Sequence, residues 1–182
     1  TASSLNVSGY SNCLAACANP LAQTLSNSGT SVESVTYIIT PHLGACTGPS
    51  QTTVVTVYPN PVMNDPTDVT ICSGTQTNIP LTSIITGGTV NYTWVAVGSS
   101  GNVTGYSGCI SSCGSNITQT LTNTGTSNET VTYTITPNLG TCPGTPQTVI
   151  VTVRPALVAP VIHSAQTICN GAVPATLTAD PA

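Results

Sequence analysis

Residues 129–137 read ETVTYTITP, and residues 33–41 read ESVTYIITP. In the later copy Val131, Tyr133 and Ile135 alternate with Thr130, Thr132, Thr134 and Thr136, a period of two that marks a strand with one buried face. Threonine suits the outward face because a β-branched side chain packs well on a pleated surface. QTVIVTV (147–153) repeats the pattern, with Val149, Val151 and Val153 on one face. DVTIC, TNIPLTS, TVNYTWVAV and ITQTLTN read as further strands, separated by SGT, TGG, GSSGN, NTGTSN and NLGTCPGTP, all rich in turn formers. About seven short strands at this spacing predict an all-β fold, an antiparallel β-sandwich of immunoglobulin-like type. No segment carries a helical period. Trp94 and Tyr133 fall where such a sandwich keeps a large aromatic and a corner tyrosine, and Tyr37 is the counterpart of Tyr133, so all three are assigned to the core.

The repetition extends along the whole chain. NVSGYSNCLAAC (6–17) returns as NVTGYSGCISSC (102–113), and Cys13, Cys17 and Cys46 match Cys109, Cys113 and Cys142, each 96 residues on. Cys72, in ICSG, matches Cys169, in ICNG, at an offset of 97. Structural modules recur on one chain far more readily than catalytic motifs do. The register divides the chain into the C-terminal part of one module (1–60), a complete module (61–155) and the N-terminal part of a third (156–182). Thr1 aligns with Val97, so the expectation is a window onto a longer tandem array, with adjoining polypeptide covering the strand edge of the first part. The connections VYPNPVMNDPTD and VRPALVAPVIHS carry prolines, which predicts stiff links and a rod-like array.

Composition narrows the function. Of 182 residues one is basic, Arg154, and five are acidic, for a net charge of −4; the surface must therefore be built from Thr, Ser, Asn and Gln. A single arginine cannot neutralise a phosphate backbone or hold an anionic membrane surface, which argues against nucleic-acid and lipid partners. No apolar run approaches the roughly 18 residues of a spanning helix, and no basic and apolar leader opens the sequence. Eight cysteines beside two histidines point to disulfides, hence to an extracellular or cell-surface setting. Lysine is absent; this removes lysine–asparagine crosslinks and leaves trypsin-like proteases almost nothing to cut.

Eight cysteines allow 105 pairings. If the first strand begins at the same pole as the loop between the last two strands, Cys72 pairs with Cys142, a closure worth about 4 kcal/mol in the chain-entropy model. Cys109 with Cys113, and Cys13 with Cys17, then form local bridges in a turn, each worth about 2 kcal/mol. Zinc is the competing reading for such thiols, but structural zinc sites favour tighter CxxC spacing and often recruit histidine. Cys46 and Cys169 take partners outside these residues, along a continuous chain or from a neighbouring copy in a fibre.

Chemistry is sparse. His42 corresponds to Asn138, and His163 sits in a linker without a matching histidine; no GxSxG, HExxH, Walker or GxGxxG pattern is present. No enzyme activity and no cofactor are predicted. Asp65 and Asp68, in NDPTD, form a weak candidate for calcium, which prefers such hard oxygen ligands; an Asp-Pro turn entering a first strand explains them equally well. Tyr10 and Tyr106, in the repeated GYS, are the candidates for an aromatic platform contacting a surface glycan. Asn6, Asn91, Asn102, Asn116 and Asn128 lie in N-x-[ST] sequons, which arise readily by chance in so Thr-rich a chain.

The runs ICSGTQTNIPLTS, NYTWVAV and ITQTLTNTGTSNETVTYTITPNLGTCPGTPQTVIVTV resemble the PKD-like repeats of very large secreted surface proteins of Bacteroidetes bacteria. The resemblance covers essentially the whole chain. It implies tandem immunoglobulin-like sandwiches, export by the type IX system and service in stalks, adhesins or gliding-motility filaments, and it names no catalytic residue. The CxxxC pair at Cys109 and Cys113 departs from it, which suggests a form stapled against force or proteolysis. The function expected is that of a rigid, protease-resistant structural repeat of an extracellular filament, stalk or giant adhesin, partnered by neighbouring repeats or copies of itself. The alternatives are a carbohydrate- or surface-binding module and a spacer in a secreted hydrolase.

Overall fold

A computed structural model describes residues 1–14, 17–18, 20–157, 161–162, 166–173 and 179–180; His163 and much of the third segment lie outside them. The described residues contain no helix. The first repeat carries β1 (Val7–Ser8), β2 (Ser26–Asn27), β3 (Glu33–Ile39), β4 (His42–Leu43), β5 (Cys46–Thr47) and β6 (Gln51–Val57). The second carries β7 (Val69–Cys72), β8 (Thr75–Gln76), β9 (Ile79–Pro80), β10 (Val90–Gly98), β11 (Val103–Thr104), β12 (Cys109–Cys113), β13 (Asn116–Ile117), β14 (Thr120–Asn123), β15 (Glu129–Leu139), β16 (Cys142–Pro143) and β17 (Gln147–Arg154). The short strands β18 (Val161–Ile162) and β19 (Ala179–Asp180) pair in the third segment.

In the second repeat one sheet runs β12-β10-β15-β17-β7, with β16 also on β15. The opposing layer is made of β11-β14-β8 and β13-β9. The alternation of ETVTYTITP becomes alternating burial along β15, where Val131, Tyr133 and Ile135 are fully enclosed. They meet Trp94 and Tyr92 from β10, Val149, Val151 and Val153 from β17, and Ile79, Leu81, Ile117 and Leu121 from the facing layer. This is a β-sandwich whose inner faces interdigitate. Trp94 and Tyr133 both lie in this core, whereas Tyr37 is only partly buried beside the small cluster Val7, Val35 and Val57.

Two features differ from the sequence reading. First, β7 pairs with β17 in parallel, Val69 opposite Val151 and Cys72 opposite Arg154; every other strand–strand pairing among the described residues is antiparallel, and only the isolated bridge of Ser31 to Thr86 is also parallel. Second, Cys109–Cys113 is not a turn but an edge strand. Tyr92 stands opposite Cys113 and Trp94 opposite Cys109, so four steps along β12 span two along β10 and the surplus residues bulge outward.

The first repeat shows the same strand pair, β3 with β6, in the same register, Val35 opposite Val55 as Val131 is opposite Val151. On the edge that β10 occupies in the second repeat there is only a bridge from Ala2 to Val35. The inner face is accordingly open: Ile39 is 53% exposed and Val55 40%, against 0% for their counterparts Ile135 and Val151. A groove lined by Leu21, Gln23, Leu25, Tyr37, Ile39, Thr53 and Val55 marks the place filled by core side chains in the second repeat.

Trp94 is the single tryptophan, so its fluorescence reports the second repeat alone. Ile135→Ala should lower the stability read from Trp94 in urea by about 2–5 kcal/mol, while Ile39→Ala should leave it within about 0.5 kcal/mol. Equal losses from both would show that the two repeats share one core.

Candidate functional site

The repeated polar residues build a network around the stapled loop. Gln119 Nε2 donates to the Ser107 carbonyl at 2.8 Å and to its hydroxyl at 3.0 Å, and the Ser107 N–H returns a bond to Gln119 Oε1 at 3.0 Å. Tyr133 donates its hydroxyl proton to the same Oε1 at 2.8 Å, and Trp94 Nε1 donates to the Ser107 carbonyl at 3.2 Å. Burial pushes the Tyr133 phenol up to about 12, because the charged form loses its water. Gln23, Ser11 and Tyr37 repeat the arrangement, with Tyr37 donating to Gln23 Oε1 at 2.8 Å. A buried tyrosine hydroxyl needs such a partner, and here it fixes the loop that precedes the disulfide.

The glycine of NVxGYS has a local reason. Gly105 has φ +90° and a Cβ there would stand 2.1 Å from the Thr120 carbonyl oxygen; Gly9 has φ +86° and the same clash with Thr24 at 1.9 Å. Only glycine adopts that backbone and permits that approach. The loop is then closed covalently: Cys109 and Cys113 are disulfide-bonded with Cα atoms 5.9 Å apart, and Cys13 with Cys17 at 5.7 Å. The bond spans the bulge of β12, leaving Ile110 exposed at its crest. A bulged, crosslinked edge strand is a poor template for pairing with another sheet.

At the pole where the chain leaves the repeat, Asn123 is enclosed and donates through Nδ2 to the carbonyls of Ser127 and Val153, both at 2.8 Å, while its Oδ1 accepts from Gly125 N–H. Asn27 repeats these bonds to Ser31, Val57 and Gly29. Beside it Glu129, 9% exposed, accepts from the Ser99 hydroxyl and, at 3.4 Å, from Asn102 Nδ2. Hydrogen bonds from Ser99, then Ser100 and Asn102, hold its carboxyl below the usual glutamate range. Gln119, Asn123 and Glu129 escaped the sequence reading, although each recurs at the 96-residue offset as Gln23, Asn27 and Glu33. No buried side-chain polar atom among the described residues lacks a partner.

The other candidates lie apart. The Tyr106 ring packs against the core, and a Cβ at Gly98 would meet it at 2.7 Å; Tyr10 is 40% exposed. Asp68 Oδ1 accepts the Ile150 N–H at 2.8 Å and so ties the entry of β7 to β17. Asp65 and Asp68 belong to no cluster of three or more histidine, cysteine or acidic side chains among the described residues. His42 Nδ1 lies 3.3 Å from the Thr47 hydroxyl.

The Cys72–Cys142 bridge expected from the sequence is not formed. Cys46, Cys72, Cys142 and Cys169 are all free thiols. The cause is the direction of β7: it runs with β17, so Cys72 ends level with Arg154, whereas Cys142 pairs with Leu139 at the opposite end of β15. From Glu129 to Leu139 that strand spans about 33 Å at roughly 3.3 Å per residue, far beyond the reach of a disulfide.

These features define a disulfide-bearing, immunoglobulin-like β-sandwich repeated in tandem. The profile of the PKD-like domain matches residues 1–61 and again residues 69–157, and the chain belongs to that family. No curated protein matches the chain. A PKD-like domain with disulfides points to an extracellular module, and among the described residues no helix is long and apolar enough to cross a membrane.

Replacing Cys109 and Cys113 together by serine should lower the Trp94-reported stability by about 2 kcal/mol and increase concentration-dependent association seen by light scattering; unchanged association would mean that the bulge protects the edge without its bond. Glu129 makes a pH-dependent contribution of known sign. Because its folded pKa is lowered, the contribution is complete above the unfolded value of about 4.3 and is lost as pH falls through the folded one. Glu129→Gln should therefore melt below the native chain at pH 7, with the gap in Tm closing as the pH drops below about 4; a gap independent of pH would locate the contribution in neutral hydrogen bonding.

Proposed function

We propose that the chain is a run of structural modules from an extracellular filament, stalk or adhesin, acting as a stiff spacer that bears tension. The observation that supports this best is the parallel pairing of β7 with β17. The chain enters the second repeat alongside the β15–β17 hairpin and leaves it at the other pole, beyond Arg154. Tension along the array then pulls two parallel terminal strands past one another. Their hydrogen bonds share the load in shear instead of opening one at a time.

The junction favours the same reading. Thr86 N–H donates to the Thr30 carbonyl at 2.8 Å and Val32 N–H to the Thr86 carbonyl at 3.3 Å, so the first repeat contacts the second directly rather than through a loose tether. The surface suits an exposed spacer: Arg154, the one site for trypsin-like cleavage, is followed by Pro155, which blocks such cleavage, and β12 presents a crosslinked edge. PKD-like domains are in general non-catalytic modules, in keeping with a mechanical role.

Force spectroscopy on the full chain held by its two ends tests the proposal. The second repeat should rupture in one cooperative event and release about 250–300 Å of chain between Val69 and Arg154, at roughly 3.5 Å per residue. Gradual extension at low force, with no single rupture, would remove the mechanical reading. Binding of the native chain on a glycan array, lost in a folded Tyr106→Ala variant, would favour a recognition module instead.

A further inference from the structure

Four thiols remain free, and they fall at two kinds of position. Cys142, with its counterpart Cys46, sits in the hairpin after the longest strand; Cys72, whose counterpart is Cys169, is the last residue of the first strand of its module. We propose that in an array of these modules the cysteine at the Cys72 position of one module forms a disulfide with the cysteine at the Cys142 position of the next. The proposal rests on the head-to-tail reading of the array and adds a covalent staple at every junction.

The geometry comes from combining the two repeats. The connection entering the second repeat lies on the Cys142 hairpin: a Cβ at Gly140 would stand 3.4 Å from Cε2 of Tyr58, and one at Gly144 only 1.9 Å from the Pro61 carbonyl oxygen. Tyr58 therefore rests two residues from Cys142. Tyr58 is also the 96-residue counterpart of Arg154, and Arg154 is the residue opposite Cys72 in the parallel ladder, with the Ser73 N–H bonded to its carbonyl at 3.0 Å. Carried back one repeat, the Cys72-type cysteine comes beside Tyr58, at the edge of the contact with the Gly140–Cys142 hairpin.

Side-chain direction agrees with this. Val69 and Ile71 turn towards the core while Thr70 and Cys72 are exposed, so Cys72 faces outward on the side of its neighbour Arg154. Cys142 is half-buried in its hairpin. The scheme also accounts for all four thiols together. In the repeat register none of the four stands as the Cys72-type cysteine of one module with the Cys142-type cysteine of the next, so the scheme pairs no two of them with each other. A bond between Cys46 and Cys72 is excluded because Cys46 lies at the entry pole of the first repeat and Cys72 at the exit pole of the second.

Closing each staple oxidises two thiols by exchange with a disulfide donor, either a disulfide oxidoreductase or oxidised glutathione. The exposed Cys72-type thiolate attacks one donor sulfur and releases the first donor thiol. The Cys142-type thiolate of the next module then attacks the Cys72 sulfur of this mixed disulfide and releases the second. Two electrons and two protons pass from the module pair to the donor, and one S–S bond is made.

The test uses residues 61–156 twice in series, which keeps the 96-residue period; the second repeat folds around a core contributed wholly by residues from Met63 to Val153. The tandem is refolded in a glutathione redox buffer, its free thiols are alkylated and its peptides are mapped without reduction. Cys72 of the first copy should be found bonded to Cys142 of the second, leaving Cys142 of the first and Cys72 of the second alkylated. Cys72→Ser in the first copy should render Cys142 of the second fully alkylated, whereas the same change in the second copy should leave the bond intact. Four alkylated thiols, or a Cys72–Cys142 bond within one copy, would overturn the proposal. Small-angle scattering separates it from the reading beneath it: an end-to-end rod with all thiols free defeats the staple alone, while two independently oriented copies with all thiols free defeat both.

Discussion

The parallel pairing of β7 with β17 is the constraint on which the rest of the architecture turns. Because the first strand of the module runs with the last, the chain must enter at one pole and leave at the other. An antiparallel pairing at that edge would have returned both ends to one pole, and modules joined by short proline-bearing links would then fold back rather than extend. The same pairing decides how tension meets the fold and on which pole each unpaired cysteine stands. Asp68 reinforces it by accepting the Ile150 N–H just where β7 begins, a bond that holds the two terminal strands in register.

A chain with one basic and five acidic residues cannot organise itself through ion pairs, and amides and hydroxyls take over that task. Gln119 joins the corner tyrosine to the loop before the disulfide, and Asn123 joins the exit turn to the end of β17. Such groups stabilise only modestly when matched, but leaving one buried and unmatched costs about 1–3 kcal/mol. Complete satisfaction of the network therefore selects a single loop geometry. Because neutral bonds are little screened by salt, this specification persists across ionic strengths in a way that surface ion pairs would not.

Much of this was legible in the residues, for physical reasons. Alternation in ETVTYTITP and QTVIVTV reports burial on one strand face, so Val131, Tyr133, Ile135, Val149, Val151 and Val153 could be assigned to the core before any tertiary information. Trp94 was placed there by its strand position, where an immunoglobulin-like sandwich keeps a large aromatic. What could not be read was the edge of the sheet that β7 joins, because local pattern carries no record of strand direction, and the Cys72–Cys142 pairing failed with it. Tyr37 shows a related limit: its sequence setting matches that of Tyr133, but it is only half-buried, because the cluster it packs on is no larger than Val7, Val35 and Val57 with Ala2 and Leu25 at its margin. Gln119 and Asn123 were visible as repeated letters without a stated role, since a buried amide and an exposed one look alike until the backbone brings carbonyls to them.

The CxxxC segment shows how a local crosslink can serve a purpose beyond stabilising its own loop. β12 is the outermost strand of the larger sheet, and an array of many such modules would present many such edges at high local concentration. A straight edge strand there would offer unpaired N–H and C=O groups to the next chain. The backbone between Cys109 and Cys113 instead leaves the plane of pairing, with Ile110 on its crest, and the disulfide keeps it from straightening. A charged residue is the commoner way to blunt an edge, but this chain has almost none to use. Its cysteines take that part, and a loop closed over so few residues achieves it at almost any position along the chain without depending on a distant partner.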